Sequence, residues 1–191
     1  RQRKAVSSGE AAALRTAGLS WRLPLDVEAG PLRSAAAYVG AAREAAVGPD
    51  PHDLAAPPSF GQYVQVRFPH EDWGRAAGQY VADVQPLAAA TYRWPLTVSC
   101  TLPDTNVRLS WPDLSQLPRT LRPILTDTVT GTRVYMRTAT GYAFPSGPNG
   151  TSRQFVLTAE TSGSLLALTG LAAQPTSAGI AFSYTLSAGA S

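Results

Sequence analysis

The sequence predicts an all-β protein: an antiparallel β-sandwich of one or two immunoglobulin-like or jelly-roll-like units behind a short N-terminal arm. Three observations carry that expectation. Apolar and polar residues alternate in short runs, the period of two that marks strands with one buried face. Turn residues separate most of these runs, the 191 residues including 16 Gly and 16 Pro. Beyond residue 17 no long stretch carries helical spacing, so the helices that an α/β enzyme requires are missing.

In chain order, residues 1–17 (RQRKAVSSGEAAALRTA) hold the strongest helix formers and are expected to be an arm or a short helix. Residues 18–90 are expected to form a first β domain, or else one sheet that packs against the second half. Here LSWRLPLDVEA (19–29) places Trp21, Leu23, Leu25 and Val27 on one side, and the Ala-rich run at 35–48 is read as a strand of small residues. A Pro-dense loop, PDPHDLAAPPS (49–59), leads into GQYVQVRFP (61–69), with Val64, Val66 and Phe68 on one face and Tyr63 and Arg67 on the other. QYVADVQP (79–86) follows. Residues 91–167 restart with YRWPLTVSCT (92–101) and continue through NVRLSWP, RPILTDT, TRVYMR, YAF and RQFVLTAE. That succession fits a minimal immunoglobulin-like sandwich of about seven strands. Thr130-Gly131 signals a hairpin.

Composition narrows the function. Charged residues are 15 % of the chain, against about 25 % in a typical soluble domain. The net charge of +3 rests on scattered arginines, which excludes a nucleic-acid patch as the basis of activity. Cys100 is the single cysteine, so the chain has neither an internal disulfide nor a Cys-based zinc site, and its strand-like setting beside Leu96 and Val98 predicts a buried structural thiol. No apolar run reaches the roughly 20 residues of a membrane span, and neither membrane insertion nor a cofactor is expected.

Two loops set histidine beside carboxylates, PHDL (51–54) and PHEDWG (69–74). Such groups can ligate a cation or move a proton where the loops meet. Their place beside prolines at strand ends predicts structural corners instead, with Asp50 or Asp53 accepting backbone N–H bonds. No enzyme motif of fixed spacing is present, and a non-catalytic protein is expected. Of the four tryptophans, Trp21 and Trp94 lie within alternating strands and are expected in cores. Trp73 and Trp111, at strand edges, are the candidates for an aromatic platform that stacks on sugar rings. At the end of the chain, Ile180, Phe182, Tyr184 and Leu186 alternate with small polar residues. They form a candidate strand-pairing interface, because an unpaired apolar strand demands a partner, in its own sheet or in another subunit.

The succession WRLPLDVEA, AAYVGAA, GPDPHDLAAPP, GQYVQVRFPHEDWG, YVADVQP, RWPLTV, VRLSWPDLSQLP, ILTDTVTGTRVYMRTATGYAF and RQFVLTAE resembles a β-rich module of large secreted and surface proteins of bacteria. There the module lies just upstream of a FlgD-like immunoglobulin domain or a sorting domain. The resemblance runs through Gly48, Asp50, Asp53, Pro57 and Pro58 between two strands and through His70 and Trp73 at the next, and residues 168–191 are similar to the start of a FlgD-like domain. It implies an exported, non-catalytic structural or adhesive module of an extracellular or cell-surface assembly. Its partners would be other protein chains at exposed sheet edges, a second copy of this chain among them. The alternative expectation is a carbohydrate-binding accessory module of a secreted hydrolase, with a glycan as partner.

Overall fold

The computed structural model describes residues 18–87, 89 and 91–161, together with the backbone of 172–176 and 179–183. The expected arm at 1–17 lies outside the described residues. Among those described, the chain is built from strands, and its one helical element is a 3-10 turn at Gly74–Ala76. The strands of the first unit are β1 (Leu19–Ala29), β2 (Leu32–Ala42), β3 (Leu54–Ala55), β4 (Val64–His70), β5 (Gly78–Pro86), β6 (Thr91–Cys100), β7 (Asn106–Ser110), β8 (Leu121–Asp127), β9 (Arg133–Tyr135), β10 (Gly141–Pro145) and β11 (Thr151–Thr161). They form one sheet in the order β10-β7-β1-β2-β5-β4-β6-β11-β8-β9, with β3 added to β5.

The sheet folds over on itself at β4. Its first half, Val64–Arg67, pairs with β6, whereas Phe68–His70 pairs with β5, so one strand belongs to both layers. Alternation then turns one face of every layer inward. Along β1, Trp21, Leu23, Leu25 and Val27 are buried, and along β6, Tyr92, Trp94, Leu96, Val98 and Cys100 are buried. Trp21 meets Tyr92 and Trp94 edge-on at ring separations of 5.3 and 6.0 Å, packing β1 across the core onto β6. Burying each such aromatic or branched side chain stabilises the fold by about 1.5–3 kcal/mol. The expected all-β sandwich is present.

Among the described residues the ladder pairs are antiparallel with one exception. β2 and β5 run parallel, because the chain leaves β2, makes a crossover that contains β3 and β4, and returns in the same direction. Tyr80 to Val84 of β5 are all buried, as a parallel pairing covered on both faces requires.

The division expected between residues 18–90 and 91–167 is corrected. β1 pairs with β7 and β4 pairs with β6, so the two halves share one sheet and one core. The restart at residue 91 marks a strand that crosses to the other layer, where a new run of core residues begins. The layers are also tied by side chains. Phe144 of β10 packs on Phe155 of β11 at 5.4 Å, and the Tyr142 hydroxyl donates to Asp127 Oδ2 at 2.8 Å. Asp127 also pairs with Arg153 at 2.6 Å and caps its own turn through Val129 N–H. That turn ends at Gly131, whose φ of 72° lies in the left-handed region, as the Thr130-Gly131 signal predicted.

Residues 162–191 form a second unit, distinct from the first at Thr161. Within it β12 (Ala172–Thr176) and β13 (Gly179–Ser183) pair antiparallel, setting Ile180 opposite Pro175 and Phe182 opposite Ala173. The terminal strand therefore finds a partner within its own chain. Tyr184 and Leu186 lie outside the described residues.

Candidate functional site

Both histidine loops converge on β5. The Pro49–Asp53 corner is held by carboxylates, as its sequence predicts: Asp50 Oδ1 accepts His52 N–H at 2.6 Å, and Asp53 accepts Asp50 N–H and Val84 N–H, both at 3.0 Å. One residue away on β5, buried Asp83 bonds His70 Nε2 at 2.8 Å. The His70 ring lies flat against Trp73, with centroids 3.6 Å apart and planes 12° apart, while Asp72 reaches its Nδ1 side at 3.8 Å. Tyr80 completes the cluster, packing edge-on against Trp73 at 4.8 Å and donating its hydroxyl to Ala76 O at 2.6 Å.

The electrostatics follow from crowding. Burial raises the Asp53 carboxyl to about 6, the negative charges of Asp50 and Asp83 push the same way, and the two N–H bonds oppose them. Burial also raises the Tyr80 phenol, with the Asp53 charge adding to it. This arrangement fixes a ring between two strands and closes a loop over β5. Among the described residues no group of three or more His, Cys, Asp or Glu is set to hold a metal ion.

The aromatic platform expected at Trp73 and Trp111 is corrected at Trp111. That indole is 2 % exposed, and its Nε1–H donates to Met136 O at 2.9 Å and Ala139 O at 2.6 Å. Trp111 continues the inward phase of Val107 and Leu109 past the end of β7, so a position that reads as a strand edge belongs to the core. Trp73 is half-buried, with one face taken by His70. The structure does not bring these two residues together as a platform.

A different surface has the character of a binding site, the outer face of β4, β6 and β11. Register sets two rows of polar side chains across the three strands: Gln65, Ser99 and Ser152 in one, Arg67, Thr97 and Gln154 in the next. Their alternation partners Val64, Val66, Val98, Cys100 and Phe155 are buried in the core, so the rows face outward. They line a groove of about 820 Å³ together with Ala56–Ser59, Glu71 and Asp72.

Arg67 lines that groove and is 8 % exposed. Its Nη2 donates to Pro57 O, Ser59 Oγ and Gln65 Oε1 at 2.7, 2.9 and 2.8 Å, and the Ser59 hydroxyl also donates to Gln65. Its Nη1 is buried without a hydrogen-bond partner. Burial lowers the guanidinium from its ordinary value, opposed by the neighbouring Tyr63, and the group stays charged.

No protein-family model matches this chain, and no curated protein or solved structure matches it either. Sequence reasoning singled out the histidine loops and tryptophans and passed over Gln65, Arg67, Thr97, Ser99, Ser152 and Gln154. Each of these is an ordinary outward residue of its own strand. The signal that finds them is the register between three strands distant in sequence.

Proposed function

We propose that the chain is a non-catalytic adhesive module of a bacterial extracellular or cell-surface assembly, and that it holds carbohydrate on the outer face of β4, β6 and β11. The carrying observation is the pair of polar rows across those strands. Sugar hydroxyls both donate and accept, and the Gln, Ser and Thr side chains of the rows do the same. Adjacent strands lie about 4.8 Å apart, comparable with the length of one sugar ring, so successive side chains along a row meet successive polar groups of an extended glycan. The resemblance to secreted and surface β modules supplies the setting.

The test is binding of the full chain to an array of neutral and acidic oligosaccharides, beside the double variant Ser99→Ala/Gln154→Ala. These side chains face solvent or the groove, so the variant keeps its melting temperature. Saturable binding by the parent that falls about tenfold or more in the variant is expected from the loss of two hydrogen-bonding groups. Absence of binding to every glycan, or binding that the variant leaves untouched, would refute the reading.

A further inference from the structure

We propose that Arg67 anchors an anionic sugar, one bearing carboxylate or sulfate, in the groove over β4, β6 and β11. The inference rests on reading that face as a carbohydrate site and adds the ligand's charge. A buried guanidinium is costly unless a counter-charge and a full set of acceptors meet it. Arg67 has neither among the described residues. Its hydrogen bonds go to neutral oxygens through Nη2, and Nη1 is left over. A carboxylate or sulfate oxygen supplies both missing items at once, and charge-assisted bonds of that kind are the stronger class.

Access runs past the Pro57–Ser59 segment. It lines the large groove on one side and a second cleft of about 310 Å³ on the other, and Arg67 lines both. The segment thus borders open space, and an anion that displaces it replaces Pro57 O and Ser59 Oγ as acceptors for the guanidinium. Glu71 and Asp72 also line the groove and are exposed, so an anion is favoured only at Arg67, the one cation among the described lining residues. Thr97 is the direct cross-strand neighbour of Arg67, so a bound anion sits over that pair.

The test compares uronic-acid-containing, sulfated and neutral oligosaccharides of equal length on the full chain, Arg67→Gln and Thr97→Glu. Preference for an acidic arm of about tenfold or more is expected for the parent, weakening with added salt and lost in Arg67→Gln. Which acidic arm binds distinguishes carboxylate from sulfate. Thr97→Glu places a built-in carboxylate beside the guanidinium, so it should abolish acidic-glycan binding and raise the melting temperature; this variant carries the test if Arg67→Gln fails to fold. Equal binding of neutral and acidic arms overturns the role of Arg67 while leaving the carbohydrate face standing. Silence in every arm overturns both. A Thr97→Glu protein that keeps its acidic-glycan binding and gains no stability also sinks the proposal.

Discussion

At the scale of single residues, buried polar atoms decide what a side chain is worth. Trp94 and Trp111 are both in the core, yet Trp111 Nε1 has two carbonyl partners whereas Trp94 Nε1 is buried with none. Alanine at either site is expected to cost about 3–5 kcal/mol. Phenylalanine separates them: Trp94→Phe removes an unsatisfied donor and should be the milder change, whereas Trp111→Phe strands Met136 O and Ala139 O. Urea denaturation of the four variants checks this order.

Two carboxyls give a pH signature of opposite signs. Burial raises Asp127, but bonds from Arg153, Tyr142, Val129 N–H and Thr130 outweigh it and hold the group at about 2. Its folded value is below the ordinary 3.8, so its stabilisation is present above 3.8 and is lost as pH falls toward 2. Asp53, raised to about 6, behaves in reverse: the folded state binds more protons, and its contribution declines as pH rises from 3.8 through 6. Denaturation midpoints measured from pH 2 to 7 should show both limbs. Asp127→Asn is expected to flatten the acid limb and Asp53→Asn the upper one.

At the scale of elements, turns and registers depend on a few backbone positions. Gly150 immediately precedes β11 with a φ of 77°, and a Cβ there would clash with Cys100 O, on the strand that β11 pairs with from its first residue. Gly150→Ala therefore meets both a left-handed backbone and a clash with main chain. The expected loss is about 1–3 kcal/mol or more, with slowed exchange of the Thr151 to Phe155 amides replaced by fast exchange. Loss of the same protection by Gly147→Ala alone, with Gly150→Ala silent, would place the constraint elsewhere in the turn.

At the scale of the whole molecule, the position of the core determines what folds alone. The buried cluster runs from Trp21 to Ala159 and draws on both halves of the first unit. A chain ending at Thr161 is expected to keep the near-ultraviolet circular dichroism and cooperative unfolding of that unit, because its core and sheet are complete. Fragments cut at residue 90 should each fail to fold, since the cut separates β1 from β7 and β4 from β6. A cooperative transition in the isolated 1–90 fragment would contradict the single-core architecture.

The sequence by itself determined the all-β class, the inward faces of β1, β4 and β6, the Asp50 corner, the Gly131 turn and the buried state of Cys100. These are local properties: alternation assigns a face, and the chemistry of Asp, Pro and Gly acts within a few residues. Tertiary structure decided the rest. β4 divides its ladder between two layers, β5 lies parallel to β2, and His70 meets Asp83 across 13 positions. The polar rows that carry the proposed function belong to the same class, since Gln65, Thr97 and Gln154 become neighbours only through the registers of β4 with β6 and β6 with β11. A period of two states which way a side chain points and leaves open which distant strand will lie beside it; that choice is made by the packing of the whole core.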